Sequence, residues 1–562
     1  MSTGSTKSSK KTRAKRRAAE KAFSQREPEP VPVQDIPENA WRIGVIVILV
    51  IAAALRLYDL DLVPLHHDEG VNGNFLVRLV REGEYHYDPK NYHGPTLYYF
   101  SALIPWIIKV LFGTSARETY GLTTFTIRLI PVLFGIGTIV LVFLLRRKLG
   151  TVATLAAGLM LAVSPGAVYL SRYFIHETLF VFFTLGIVVA AVWFYEDRNP
   201  SYLIPAGASA ALLLATKETA MISMGVLIIA LALTVVYMSF NRKGQPRRYR
   251  EQQGLSSIAE RFGGTTNFTG GVVLAFIVFL ALYLLFYSSF FKNPKGIYDS
   301  LETFAVWTRT GREAHVHPPS QYLIWLARQE SPLLFLGAIG AAIVVLKPRN
   351  SLALFCALWA FGLIAAYSLI PYKTPWLVLN FVIPLALIAG YTVQEIYEMD
   401  QRQLRLGAVV LVVAVGIATY QSIDLNFINY DNDKQKYVYV YAHTTRPTLD
   451  LVNQVEQIAR EHQGGQTGIT IVSPDYWPLP WYFRNFTRVG YFGQMAASSE
   501  PILIANESQK QLIEDNFGEL YRQVPSKAEG GSFELRPGVK LLLYVRRSGL
   551  LPPPNPPSIR NP

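Results

Sequence analysis

Cysteine is almost absent from this chain. Of 562 residues only Cys356 carries a thiol, and it lies inside an apolar run. One thiol makes no intramolecular disulfide and leaves no thiol pair for a metal or redox site. Charge is scarce as well: Asp, Glu, Lys and Arg together make 17% of the residues, against about 25% in a soluble domain. The N-terminus lacks the apolar core and small-residue cleavage site of a signal peptide. No glycine-rich dinucleotide loop is followed by a helix, and no internal repeat is evident.

What is present is apolar and comes in blocks. Half of the residues are hydrophobic (51%), and runs such as "IGVIVILVIAAALRLY" (43–58), "GVLIIALALTVVYMSF" (225–240) and "GGVVLAFIVFLALYLLFYSSFF" (270–291) stand out. Their lengths approach the ~20 residues that cross a bilayer. The formal charge of +13 invites a nucleic-acid reading, but its placement excludes one. It is dense in "KSSKKTRAKRRAAEK" (7–21), ahead of the first run, and in "NRKGQPRRYR" (241–250), between two runs. Cytoplasmic segments beside a membrane carry such charge. The basic tail, with "EPEPVPV" after it, is expected to be disordered over residues 1–40 and to meet anionic lipid.

Charge parity then orders the runs. The first span should leave the cytoplasm, keeping the basic tail inside. If "PTLYYFSALIPWIIKVLFG" (95–113) also crossed, "LLRRKLG" (144–150), the loop at 241–250 and "KPR" (347–349) would all fall outside. Its Tyr pair, Pro105, Trp106 and Lys109 suit an interfacial helix instead. About eleven spans result within residues 41–423: the first, then runs near 126–145, 152–170, 178–195, 201–216, 219–239, 270–290, 332–346, 351–370, 376–395 and 404–423. An odd count puts residues 424–548 on the outer side. There "TRPTLDLVNQVEQIAREH" (445–462) reads as an amphipathic helix, while "TGITIVS", "EPILIAN" and "GVKLLLYVRR" read as strands. A small α/β extracytoplasmic domain is expected, ending in a Pro-rich tail at 549–562.

On this topology the polar residues gather on one side. "HHDEG" (66–70), "YHYDPKNYHGP" (85–95), "SRYFIHE" (171–177), "TKET" (216–219), "HVHPP" (315–319) and "YKTP" (372–375) all reach the outer face. Ionisable groups at a bilayer boundary are costly unless paired or solvated, and several on one face define a site hypothesis. Asp68 and Glu69 are candidates for acid–base work. Neighbours on a loop or strand point apart, so one of them should face a substrate. Glu177 is a second candidate, against the simpler reading of a carboxylate at a helix N-terminus. His66, His67, His315 and His317, with the carboxylates, supply donors that suit a divalent metal, although the spacing fits no recognised zinc pattern. Arg172, Lys217, Tyr372 and Lys373 suit a phosphate at the interface, the plainer alternative being side chains that snorkel to lipid head groups.

These residues look familiar. The acidic pair after the first span, "HGPTLYY", "TIRLIPVLFGIGTIVLVFLLRRKLG" (126–150) and "LAVSPGAVYLSRYFIHETLFVFF" (161–183) resemble the GT-C glycosyltransferases of the protein O-mannosyltransferase and aminoarabinose-transferase group. More narrowly, "HHDEG", "TKET" and "YKTPWLVLNFVIPLALIAG" resemble the branch of archaea and Chloroflexi-type bacteria known as flippase activity-associated proteins. The likeness covers residues 41–240 well and the later spans loosely. It implies an α-helical polytopic GT-C-like membrane protein of the plasma membrane, with outer interfacial helices and a cytoplasmic N-terminus. It also implies transfer of a sugar, with inversion, from a polyprenyl-phosphate carrier to a lipid, glycan or protein acceptor. The family's catalytic base or acceptor-binding carboxylate falls on Asp68, with Glu69 beside it. Its second acidic position, usually Asp, falls on Glu177. The turn that usually reads His-Pro-Pro or Lys-Pro-Pro is His93-Gly94-Pro95 here. Lys217, Tyr372 and Lys373 resemble positions near the carrier phosphate, and only some members use a divalent metal. Two rivals stand beside this reading. One is a lipid-linked-sugar flippase or its accessory, which would want ionisable residues spread through the membrane depth. The other is an envelope scaffold that binds a partner through "YWPLPWYFRNF" (476–486).

Overall fold

A computed structural model of the chain describes residues 36–547, apart from 84, 91–92, 114–120, 242–263, 314–315, 400, 432–436 and 527–530. The basic tail, the charged loop after residue 241, His315 and the Pro-rich tail therefore lie outside the described residues, wholly or for the most part.

Each expected apolar run forms a helix. In chain order the helices are α1 (Glu38–Leu57), α2 (His67–Glu82), α3 (Thr96–Phe112), α4 (Thr124–Phe143), α5 (Thr151–Val163), α6 (Pro165–Ser171), α7 (Glu177–Asp197) and α8 (Leu203–Leu214). They continue as α9 (Ala220–Asn241), α10 (Thr265–Tyr287), α11 (Lys295–Glu313), α12 (Gln321–Gln329), α13 (Ser331–Leu346), α14 (Ser351–Leu369), α15 (Leu379–Tyr397) and α16 (Gln401–Ile423). Eight spans among the described residues are long and apolar enough to cross a bilayer, and the bent pairs α5–α6 (61°) and α12–α13 (111°) raise that to ten. The eleventh expected span, α8, has 12 residues, short of the ~20 a bilayer needs. Helix α15 is the buried post of the bundle, against which α5, α13 and α14 pack. At its contact with α5, a Cβ on Gly390 would stand 2.2 Å from the Ala153 carbonyl oxygen. Small residues of this kind let membrane helices approach closely.

The break between α5 and α6 has a traceable cause. Pro165 has no N–H, so the Leu161 carbonyl four residues back loses its helical donor. Arg56 Nη2 donates to that oxygen at 3.0 Å, and Arg56 Nη1 donates to the Ala162 carbonyl at 3.0 Å. The Gly166 N–H turns instead to the Glu330 carboxylate at 2.8 Å, which also accepts from Ser164 Oγ. A second arginine closes the end of α1. Arg172 donates to the carbonyls of Leu55, Arg56, Tyr58 and Asp59 at 2.6–3.3 Å, the acceptors a helix C-terminus leaves open.

After α16 come helix α17 (Pro447–Arg460) and strands β1 (Ile469–Ile471), β2 (Val489–Tyr491) and β3 (Ile502–Asn506). Helix α18 (Lys510–Phe517) and strands β4 (Tyr521–Val524), β5 (Phe533–Arg536) and β6 (Val539–Arg546) follow. The sheet runs β2-β1-β3-β6-β4, with β5 also paired to β6. Strand β1 is parallel to β2 and β3, while β6 is antiparallel to β3, β4 and β5. Leu451, Val455 and Ala459 form the buried stripe of α17, at the i, i+4, i+8 spacing of one helix face. The sheet region is tied to the bundle. The Leu65 N–H donates to Tyr482 Oη at 2.9 Å, and Arg484 Nη2 donates to the Leu122 carbonyl at 2.7 Å. Gly73 in α2 admits the Trp481 ring so closely that a Cβ there would meet it at 2.6 Å. The aromatic segment 476–486 is thus packed on α2, which leaves little of it as the free contact surface that a scaffold would need.

Candidate active site

The segments joining helices at one end of the bundle surround a cavity of about 520 Å³. Its first wall is the start of α2, where "HHDEG" is helical rather than a loop. His66 is the N-cap. Its Nδ1 accepts the Asp68 N–H at 3.1 Å, and the Glu69 carboxylate accepts the His66 N–H at 3.0 Å, a reciprocal cap. With Nδ1 accepting, Nε2 carries the proton and donates to the Tyr441 carbonyl at 3.0 Å. Both imidazole nitrogens are spent on backbone.

Successive residues on a helix point about 100° apart, and here that sends the two carboxylates to different fates. Glu69 turns inward and is sealed, with side-chain exposure of 0% against 1% for its partner Arg128. Arg128 Nε and Nη2 donate to its two oxygens at 2.8 and 2.7 Å, and the Phe174 N–H, with that of His66, brings the accepted bonds to four. Arg128 Nη1 meanwhile holds the Leu60 and Val63 carbonyls, both at 2.9 Å. Glu69 is off the cavity wall. Asp68 is on it, with 42% of its side chain exposed.

The second wall interlocks three sequence motifs. The Gly94 N–H donates to the Thr216 carbonyl at 3.0 Å and the Thr96 N–H to the Ala215 carbonyl at 3.2 Å. A Cβ on Gly94 would stand 2.0 Å from the Ala215 oxygen. That contact explains glycine where the resemblance leads one to expect proline. His176 Nε2 donates to the Gly94 carbonyl at 2.9 Å, which draws the start of α7 into the same knot. Lys217 Nζ then donates to Glu177 Oε1 at 2.5 Å, and His93 Nδ1 lies 3.3 Å from Glu218 Oε2. Burial pulls the Lys217 pKa down, but the Glu177 and Glu218 carboxylates outweigh it and hold the value above the ordinary lysine range. Burial, with His93 and Lys217 nearby, keeps His176 well below the ordinary histidine value and so neutral at pH 7.

Seven of the residues singled out from the sequence therefore share this one cavity: His66, His67, Asp68, His93, Glu177, Lys217 and Tyr372. Four others do not line it. Glu69 is locked to Arg128, and Arg172 is spent on the end of α1. Lys373 is buried with its ammonium on the Ile370 carbonyl at 2.5 Å. His317 lies beside residue 371, donating its N–H to the Pro371 carbonyl at 3.1 Å, with its ring against Trp325. The described residues do not fit a divalent metal. Among the described residues no three His, Cys, Asp or Glu side chains converge as ligands, and both nitrogens of His66 are taken. The cavity also holds residues that the sequence did not single out. Glu218 sat unnoticed inside a quoted motif. Arg536 and Tyr441 come from beyond α16, where no local pattern signals a site.

Fold and site together define a class: a polytopic membrane protein of GT-C architecture, with a polar cavity at one end of its bundle. Within that class the similarity is to the ArnT and protein mannosyltransferase type. Residues 101–247 match the family described as dolichyl-phosphate-mannose-protein mannosyltransferase. The structure superposes on ArnT from Cupriavidus metallidurans bound to undecaprenyl phosphate, with a TM-score of 0.61 and 13% identity over 90% of this chain and 98% of that one. It also superposes on the oligosaccharyltransferase AglB from Archaeoglobus fulgidus, in complex with an inhibitory peptide and a dolichol-phosphate. There the TM-score is 0.51 and the identity 12%, over 85% of this chain and 70% of the other. Among curated proteins, none matches the sequence.

Proposed function

We propose that the protein transfers a sugar from a polyprenyl-phosphate carrier to an acceptor hydroxyl at the outer face of the plasma membrane. Asp68 carries the reading, as a partly open carboxylate on the wall of a polar cavity at the end of a membrane bundle. In the proposed step its carboxylate takes the proton of the acceptor hydroxyl. The freed oxygen attacks the anomeric carbon from the side opposite the phosphate and forms the new glycosidic bond. The bond from that carbon to the phosphate oxygen breaks, and its electron pair leaves with the carrier phosphate, so the configuration inverts. Charge developing on the departing phosphate requires fixed donors nearby, and His93, Lys217 and Tyr372 are among those on the wall. The undecaprenyl phosphate and dolichol-phosphate bound to the two structural neighbours support a carrier of this class.

The test is direct. The full chain in membranes, supplied with a panel of polyprenyl-phosphate sugars, is expected to release sugar from the carrier in a time-dependent way. Carrier binding without any release across the panel would favour an accessory without transferase chemistry and overturn the proposal.

Orientation is proposed from charge. Arg146, Arg147 and Lys148 follow α4, and Lys347 and Arg349 follow α13. Both groups lie at the bundle end away from the cavity, the end that the positive-inside rule assigns to the cytoplasm. Cys356 is buried, so an added thiol is read without background. Lys510→Cys, in the sheet region, is expected to react with a membrane-impermeant maleimide in intact cells, and Arg147→Cys only after lysis. The reverse pattern would invert the topology.

A further inference from the structure

Transfer from a lipid phosphate needs a cation able to meet that phosphate, and Lys217, the buried cation on the wall built by the membrane helices, is already committed. Lys217 is bound to Glu177 and shares Glu218, two carboxylates for one ammonium. Arg172 and Lys373 lie off the wall. Two further cations line the cavity, Lys90 and Arg536. Arg536 closes β5, so it enters from the sheet region. Its Nη2 is bound to the Asp475 carboxylate, which does not itself line the cavity. Among the described residues, Nε and Nη1 have no hydrogen-bond partner, and 23% of the side chain is exposed. His67 on the same wall lies beside Trp477, their ring centres 6.1 Å apart and the planes tilted by 54°. Burial holds the His67 pKa below the ordinary value, so at pH 7 it adds hydrogen-bonding capacity rather than charge.

We propose that Arg536 receives the phosphate of the lipid carrier, so that the sheet region completes the donor site. A guanidinium presents a planar fork of donors that matches a phosphate in two-pronged geometry. Partial shielding from water strengthens such a contact over one at an open surface. Asp475 tethers one nitrogen and leaves the other two uncommitted. It also competes with any incoming anion for the same charge. That competition gives the pair an opposite-sign signature that a structural ion pair lacks. The identity of the ligand as a carrier phosphate rests on the proposed transfer; the uncommitted guanidinium does not.

The experiment is a titration of the full chain in zwitterionic nanodiscs with undecaprenyl phosphate, with undecaprenol and inorganic phosphate as comparisons. Arg536→Gln should weaken binding of the lipid phosphate about tenfold or more, the loss expected for a hydrogen bond to a charged group. Arg536→Lys should fall between it and wild type, and Asp475→Asn should tighten binding. Undecaprenol should bind all four proteins alike. Wild-type binding in both Arg536→Gln and Asp475→Asn overturns the proposal. So does equal weakening in both, which marks a pair that only holds the fold. An effect confined to inorganic phosphate overturns the assignment to the carrier. Sugar transfer by the wild-type chain with binding unaltered in the variants sinks this inference alone. Arg536-dependent binding with no transfer of any sugar sinks the transferase reading alone.

Discussion

Asp68→Asn is expected to lower sugar transfer by about 10²- to 10⁴-fold, the range that a positioned base contributes, while the purified chain melts close to wild type. The two halves of this expectation come from different atoms. The capping bond at the start of α2 is made by the Asp68 N–H, which asparagine keeps. The side chain is 42% exposed, and the His66 Nδ1 atom, which accepts the Asp68 N–H, stands 3.8 Å from its carboxylate, too far for a hydrogen bond. Removing the charge therefore forfeits at most the modest attraction between a carboxylate and a helix N-terminus, about 0.3–1 kcal/mol. What asparagine cannot do is accept the proton of the acceptor hydroxyl. The loss should appear in kcat, with the KM for the carrier near its wild-type value, because the base meets the acceptor and not the phosphate. Asp68→Glu, one methylene longer, should retain an intermediate rate. Transfer by Asp68→Asn at the wild-type rate would move the base elsewhere on the wall, with Glu177 and Glu218 next to test.

Much of this architecture was legible because the bilayer imposes simple rules. Apolar length gave the runs that became α1, α4, α7, α9, α10, α14 and α16. The Pro and Ser at 164–165 gave no warning that α5 and α6 would bend apart, because the break depends on Arg56 and Glu330 arriving from distant segments. Helices α2, α11 and α12 were missed for a related reason: they are polar or amphipathic, and their apolar faces acquire meaning only against neighbours. The site was half legible. Local motifs put Asp68, His93, Glu177 and Lys217 in view, and one cavity gathers them. Residue type alone did not reveal which charged groups are already spent. Arg172 reads as a phosphate ligand until four backbone carbonyls are seen around it, and Lys373 does so until its ammonium is found turned onto Ile370. Arg536 lies beyond the last membrane helix, and only the tertiary fold brings it to the cavity.

The neighbour of Asp68 should behave in the opposite way. Glu69→Gln is expected to cost the fold rather than the rate, with little or no folded chain recovered from membranes. Breaking a buried pair by neutralising one partner destabilises by about 3–5 kcal/mol, since the other charge is left in a low-dielectric interior. That is a large share of the margin on which folded proteins stand. Here the stranded group would be the Arg128 guanidinium, 1% exposed. The damage would spread, because the Glu69 carboxylate also holds the N–H groups of His66 and Phe174. Those bonds join the start of α2 to α4 and to the segment before α7, the two sides of the cavity. The double substitution Glu69→Gln with Arg128→Met should recover part of the stability, because no charge is then left unpaired. Recovery should stay incomplete, since Arg128 also satisfies the Leu60 and Val63 carbonyls. Melting curves for the two singles and the double, in one detergent, measure the coupling. A Glu69→Gln chain that folds and melts like wild type but transfers no sugar would place Glu69 among the reacting groups and refute its role as a clamp.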